Sequence, residues 1–248
     1  MEELLYQMIF KRKSFHILKG EKKLTVAELS EIQTTFDGLK PLVDGIEVAI
    51  RIVPRRETSC PRGEYCILFY SEAKAHYLQN IGYLGEQLDL WLASRNIGVC
   101  WYGLGKTEKQ SFRGLPFVAM QIIEKLDESL FRKDMFKSKR KPLAEIWMGN
   151  DELQIANIVR FAPSSCNIQP WLVQSDGDKL TVYRYKKPGK RGMVPVHRVT
   201  FTNRIDIGIF LLFLELCLTH GGTGFKRTLH PDTEDEEMTL YAEYLLTK

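Results

Sequence analysis

A chain of 248 residues, 44% of them hydrophobic and 27% charged, with a mean hydropathy of −0.22, is long enough to bury a core without disulfide or metal staples. That balance excludes disordered, collagen-like and membrane-spanning chains. With 35 basic against 31 acidic residues the net charge is +4, too near neutrality to demand a nucleic-acid partner.

Apolar residues at helical spacing (Leu4, Leu5, Met8, Ile9) predict a first helix, and Thr25 followed by Glu28 predicts the capped start of a second. Residues 46–53 alternate apolar and polar like a half-buried strand, 65–70 form a short apolar run, and the two are expected to pair. Tyr77, Ile81, Leu84, Leu88, Trp91 and Leu92 mark a long helix over 77–96, with Asn96-Ile97-Gly98 as its stop signal. A strand is predicted over 117–123 and a charged connection over 132–141. After Pro142 the order starts again: a helix through 153–159, a turn at Pro163, a strand over 179–183, a helix over 206–219 and a strand over 238–242. Landmark strings recur as well. Lys40-Pro41-Leu42 matches Gln169-Pro170-Trp171 at an offset of 129, and Asn80-Ile81-Gly82 matches Asp206-Ile207-Gly208 at 126. The reading is a tandem duplication, with repeats over 1–136 and 137–248 packed as a pseudo-dimer, because a repeat unit often cannot bury its own face.

Five scattered cysteines without C-x-x-C and five dispersed histidines offer neither a disulfide framework nor a metal site. Met1-Glu2-Glu3-Leu4-Leu5 has no signal-peptide pattern, and the longest apolar run, over 207–214, is far below the roughly 20 residues that cross a bilayer. The expectation is a cytoplasmic protein.

The most specific string is Phe161-Ala162-Pro163-Ser164-Ser165-Cys166-Asn167-Ile168-Gln169-Pro170-Trp171, which sets small hydroxyls and amides after a helix and before a strand. With Ile9-Phe10-Lys11-Arg12-Lys13-Ser14 and Arg204-Ile205-Asp206-Ile207-Gly208-Ile209, it resembles the nitroreductase family of FMN enzymes over nearly the whole chain. The resemblance implies an α+β, nitroreductase-like (FMN-dependent) fold of two tandem repeats. It also implies ping-pong hydride transfer from NADH or NADPH, through flavin N5, to a nitroaromatic, quinone or similar acceptor. A flavin needs cations for its phosphate, polar partners for its pyrimidine edge and a donor where charge gathers on reduction. By the resemblance, Arg12 and Ser14 take phosphate and pyrimidine contacts with Lys13 beside the ring, and His16 stands where the family carries a second Arg or Lys. Pro163, Ser164, Ser165 and Asn167 line the ring and ribityl chain. Gly103, Leu104 and Gly105 fall in the loop whose backbone N–H meets N5, where glycine permits close approach and unusual dihedrals. Lys139 and Arg140 add phosphate-binding cations.

Family homodimers draw the two motifs from opposite subunits, so a duplicated chain carrying each motif in a different repeat removes the need for a homodimer and is expected to be a monomer. The first-half counterpart, Thr35-Phe36-Asp37-Gly38-Leu39, lacks the Pro-Ser-x-x-Asn pattern, which implies one flavin per chain. No catalytic side chain and no metal are expected, since the chemistry is the cofactor's; the partner is a small-molecule acceptor, not nucleic acid or membrane. Plainer readings stand beside these. The basic run 137–141 reads as a solvated linker, His16 as solvent-facing, Arg198 and Arg204 as structural, and Trp91, Trp101 and Trp171 as core. Cys166 has no histidine near it in sequence to make it a nucleophile. The rival functions are a flavin-binding protein without turnover, and a nucleic-acid module using 137–141 and 184–191 with Tyr183 and Tyr185.

Overall fold

Thr25 and Glu28 form the capping box their spacing predicts, and a helix grows from it. After helix α1 (Glu2–Lys11), α2 (Val26–Asp37) opens with the Glu28 N–H donating to Thr25 Oγ1 at 3.2 Å and the Thr25 N–H donating to the Glu28 carboxylate at 2.8 Å. Lys125 Nζ adds a 2.7 Å contact, and with these donors the Glu28 carboxyl is held down at about 2. Thr25→Ala is expected to cost about 1 kcal/mol, read as a lower urea midpoint. An unchanged midpoint would mean that the buried Ile32 and Phe36, not the cap, set the stability of α2.

The computed structural model describes residues 1–103, 105–185, 192–232 and 237–247. Long-range packing divides the chain into Gln7–Met135 and a second unit of Phe136–Lys248 with Met1–Tyr6. The six N-terminal residues join the second unit through Tyr6, stacked on His220 at 3.7 Å, and Glu3, 2.9 Å from His220 Nδ1.

In the N-terminal unit, β1 (Val48–Pro54), β2 (Tyr65–Ser71), helix α3 (Tyr77–Ser94), β3 (Ile97–Trp101), β4 (Ser111–Phe112) and β5 (Leu115–Lys125) follow in the chain. The sheet runs β1-β2-β5-β3, antiparallel throughout, with β4 paired to β5. The predicted pairing of the first two strands is present, with Ile50 opposite Phe69. Residues of β2 serve two faces: Phe69 meets Phe36 and Trp101, while Cys66, Leu68 and Tyr70 join a cluster with Phe15, Met120 and Ile122. Every residue of α3 from Leu78 to Ala93 is buried. Gly85 permits that seat, because a Cβ there would overlap the Trp101 ring.

The second unit adds β6 (Trp147–Gly149), α4 (Ala156–Val159), β7 (Trp171–Asp176), β8 (Lys179–Tyr185), α5 (Val199–His220), β9 (Gly224–Leu229) and β10 (Met238–Thr247). Its sheet runs β6-β7-β8-β10-β9, with only β6 parallel to its neighbour. Setting β6 aside, β7-β8-β10-β9 repeats the connectivity of β1-β2-β5-β3, with a long buried helix between the second and third strands in the chain. The loop entering each sheet is tied to that helix in the same way. Asn80 Oδ1 on α3 accepts the N–H of Leu42 at 2.8 Å, and Asp206 Oδ1 on α5 accepts the N–H of Ser165 at 2.9 Å.

Five strands and several boundaries differ from the sequence expectation. β3 lies where a loop was expected: Asn96, with φ 56°, ends the helix, and Gly98 then continues as strand because a Cβ there would overlap Leu126. β4 and β6 are two and three residues long, and β7 and β9, although their burial alternates, carry no matching alternation of apolar and polar residues. α5 starts at Val199 rather than 206, and the helix expected over 153–159 shrinks to α4, whose start is held by the Asp151 carboxylate accepting the N–H groups of Ile155 and Ala156 at 3.0 Å.

Candidate functional site

In the second unit the chain leaves α4 and turns through 161–170 before entering β7. Cys166 (φ 48°), Asn167 (φ 56°) and Gln169 (φ 52°) are all left-handed without being glycine. Such backbone costs of order 1–3 kcal/mol per residue, less for asparagine, and persists only where its surroundings over-determine it. Here they do. Ser164 accepts twice, its carbonyl from the Asn167 N–H at 3.0 Å and its Oγ from the Gln169 N–H at 2.9 Å. Arg140 donates to Asn167 Oδ1 at 3.1 Å and to the Phe161 carbonyl at 3.0 Å, while Asn167 Nδ2 donates to the Lys139 carbonyl at 3.1 Å. Lys141 donates from its N–H to Gln169 Oε1 at 2.9 Å and from Nζ to the Gln169 carbonyl at 2.8 Å. The structure therefore brings Lys139, Arg140, Pro163, Ser164, Ser165 and Asn167 together. The linker reading of 137–141 fails at Arg140 and Lys141, which pin the loop. Pro163 is buried, Ser164 and Ser165 are half-buried, and Lys139, Cys166 and Asn167 are exposed. Gly192 passes so close to Cys166 that a Cβ there would lie 2.6 Å from the Cys166 Cβ.

Beneath this loop, Asp206 is 3% exposed, and burial pushes its carboxyl up to about 8 against the opposing pull of the Ser165 N–H. At neutral pH it is a neutral acid. Its Oδ2, both side-chain heteroatoms of Asn203 one turn earlier, and Trp171 Nε1 are buried without a hydrogen-bond partner among the described residues. The Ser164 and Ser165 hydroxyls, the Asn167 amide and the orphaned Oδ2 of the Asp206 that holds Ser165 are donors and acceptors of the kind that suits the polar edge of a flavin nucleotide.

The residues picked from the N-terminal unit are placed differently. Arg12 is 2% exposed, with Nη2 2.8 Å from Asp89 Oδ2 and Nε 3.1 Å from Glu86 Oε1. Burial works against its charge, yet Asp89 and then Glu86 outweigh it and hold the guanidinium above its ordinary value. In this structure the guanidinium that the resemblance assigns to a phosphate is engaged in a buried ion pair with α3. Ser14 accepts from Arg12 Nη2 at 3.2 Å and forms a bridge to Val99 of β3. Lys13 Nζ donates to the Leu130 carbonyl at 2.6 Å and sits 4.8 Å from the Phe15 ring centroid, and His16 is exposed. Gly103 and Gly105 lie after β3, while Leu104 falls outside the described residues, as do 186–191 of the basic segment 184–191 singled out from sequence. Neither glycine has positive φ. Gly103 faces open space, and Gly105 is required by the packing of Met120, so the expected need for unusual dihedrals is corrected.

Arg204 donates to Asp232 Oδ2 at 3.1 Å and Arg198 lies over the Phe201 ring, both structural roles. Trp91 and Trp171 are core, the latter stacked on Phe210 at 4.8 Å. A groove of about 380 Å³ in the N-terminal unit, lined by Gln7, Phe10, Lys11 and Ser129 among others, contains none of the residues picked from sequence. Sequence reasoning passed over Glu86, Asp89, Asn203 and Asp206 as site-building residues. Their signal was available: acids and an amide on the apolar faces of two helices that are buried almost all round. Among the described residues no group of three His, Cys, Asp or Glu could hold a metal, and no helix is long and apolar enough to cross a membrane.

Comparison with known proteins gives two findings. Residues 4–218 match the model of a family described as "Putative TM nitroreductase". A crystal structure from Thermotoga maritima, described as a "putative nitroreductase", superimposes with a TM-score of 0.60 over 97% of this chain and 93% of that one, at 17% identity. That likeness is one of fold. No curated protein sequence matches.

Proposed function

Because the chain belongs to the nitroreductase family matched over residues 4–218, we propose that it is an FMN-dependent oxidoreductase, taking hydride from NADH or NADPH and passing it to a nitroaromatic, quinone or similar acceptor. The observation that carries the reading is the loop over 161–170, held in costly left-handed geometry by Arg140, Lys141 and Asp206. FMN, when bound, supplies a ring that accepts and returns hydride at N5. In this reading the chain's own residues bind and orient. The Lys139 ammonium meets the phosphate, the Ser164 and Ser165 hydroxyls and the Asn167 amide meet the ribityl chain or the pyrimidine edge, and Pro163 packs beside the ring. Arg12 is left out of this set. No side chain is asked to act as acid or base, so positioning and polar stabilisation of the reduced cofactor account for the catalysis.

The proposal includes a tandem duplication whose halves do the work of a homodimer's subunits, one flavin per chain, a monomeric cytoplasmic state, and no nucleic-acid partner. The repeated strand order and the matched roles of Asn80 and Asp206 support the duplication. An absorption spectrum after incubation with FMN and desalting tests the cofactor, and nicotinamide oxidation with menadione tests turnover. Near-stoichiometric flavin bands are expected. Asn167→Gly, which keeps the positive φ while removing the amide, combined with Lys139→Ala, is expected to weaken FMN binding by about 10-fold or more. A colourless wild-type protein at saturating FMN would overturn the cofactor reading, and a yellow protein inert towards all acceptors would make it a flavin-binding protein without turnover.

A further inference from the structure

The groove in the N-terminal unit shares no residue with the flavin-binding set and has two walls. One is the last turn of α1, where Gln7, Phe10 and Lys11 share a face because they stand three and four residues apart. The other is the segment 128–133 that follows β5. Several contacts tie the walls together. The Arg132 N–H donates to the Lys11 carbonyl at 3.1 Å, and Lys11 Nζ meets Glu128 Oε1 at 3.0 Å and Asn96 Oδ1 at 2.7 Å, with the Phe131 ring centroid 5.2 Å away. Asp127 caps the turn by accepting the Ser129 N–H at 2.9 Å, and Phe131, 5% exposed, is set edge-on to Phe15 at 5.0 Å. The groove is therefore held in shape, and its volume of about 380 Å³ is that of a small-molecule site.

Its charges do not cancel. Lys11 and Glu128 neutralise each other, which leaves Arg132 and Lys133. Arg132 is half-buried, and among the described residues its guanidinium makes no side-chain hydrogen bond and no ion pair. The acids that could have served it are already engaged, since Arg12 holds both Asp89 and Glu86. Burial and then the charge of Arg12 push Arg132 down to about 10 against the pull of Asp89, so it remains a cation at neutral pH and is kept one at a cost. A guanidinium carries five donors in a planar fork that matches a carboxylate or a phosphate. Two phenyl rings, Phe10 half-buried and Phe131 buried, add apolar surface to the same groove and favour an anion with a hydrocarbon body over a bare one.

We propose that this groove is a binding site for small amphiphilic carboxylates, with Arg132 forking onto the carboxylate, Lys133 adding a second charge at the rim, and Phe10 and Phe131 packing on the apolar body. Arg132 then differs from a structural cation in a measurable way: its charge serves the ligand and weakens the ligand-free fold.

The test is a ligand-observed NMR titration of the full-length protein with phenylacetate, run beside its uncharged isostere phenylacetamide and beside inorganic phosphate, each with and without saturating FMN. Saturable phenylacetate binding, about 10-fold tighter than that of either control and unchanged by FMN, is expected. Arg132→Gln is expected to weaken it about 10-fold or more while keeping or raising the urea midpoint, because a cation without a partner is removed. Lys133→Gln, at an exposed position, is expected to weaken it about 3-fold at an unchanged midpoint. A lower urea midpoint for Arg132→Gln would make the arginine a structural partner of Asp89 and overturn the proposal. So would the lack of saturable phenylacetate binding, equal binding by wild type and Arg132→Gln, or displacement of phenylacetate by FMN. Equal affinity for phosphate would overturn the choice of an amphiphilic ligand.

Discussion

Arg12→Ala is expected to lower the unfolding free energy by about 3–5 kcal/mol, the cost of removing one partner from a buried ion pair. The cause is what the variant leaves behind. Glu86 is fully buried and Asp89 is 1% exposed, so without the guanidinium two carboxyl groups stay out of water having lost the cation they share, with Arg132 left as the charge that still acts on Asp89. Both would take up protons, and the deficit should shrink at low pH, where the unfolded chain is protonated as well. Arg12→Met combined with Glu86→Gln and Asp89→Asn is expected to recover most of the loss, because uncharged groups of similar size replace the whole cluster. Urea denaturation of the three proteins checks this. A single variant within 1 kcal/mol of wild type would show that the arginine is not committed to α3 and is available for a ligand. The expected result also bars Arg12→Ala as a probe of cofactor binding, since flavin loss in it would report unfolding.

Why the pattern of this chain exposes some features and hides others follows from range. The Thr25 capping box, the apolar run of β2 and the spacing of Tyr77, Ile81, Leu84 and Leu88 act within a few residues, so each is visible locally. The strings containing Asn80 and Asp206 correspond because they perform one task, holding the loop that enters each sheet, and that task shows in sequence without its geometry. Arg12 meets Asp89 across 77 positions, and no periodicity links them. The left-handed run at Cys166, Asn167 and Gln169 contains no glycine to announce it; the strain is carried by Arg140 and Lys141, which their composition alone presents as a solvated linker. β3 was hidden by Gly98, a residue that reads as a helix stop yet serves here to let a strand pass against Leu126 and Phe15.

Asp206 supplies the other large effect, and it depends on pH. In the unfolded chain this carboxyl ionises near its ordinary 3.8, whereas in the folded protein burial raises it to about 8. Between those values the folded state binds a proton that the unfolded state has lost, so its contribution is fully present below about pH 4, declines as pH rises, and is gone above about pH 8. The slope is about 1 kcal/mol for every pH unit, or roughly 3–4 kcal/mol between pH 5 and 8. Asp206→Asn should flatten that slope. The amide keeps an acceptor for the Ser165 N–H and a donor where the acid proton now sits, and Asn80 shows that an amide does this work in the other unit. Stability curves in urea at pH 5, 7 and 9 are therefore expected to converge for the two proteins at the acid end and to favour the variant at the alkaline end. Parallel curves would mean that the folded-state carboxyl is ionised. A neutral group here also bears on the site above it: an ionised carboxylate against the Ser165 amide would repel a phosphate-bearing cofactor at the 161–170 loop. Wild-type FMN affinity is accordingly expected to fall as pH passes 8, while that of Asp206→Asn holds.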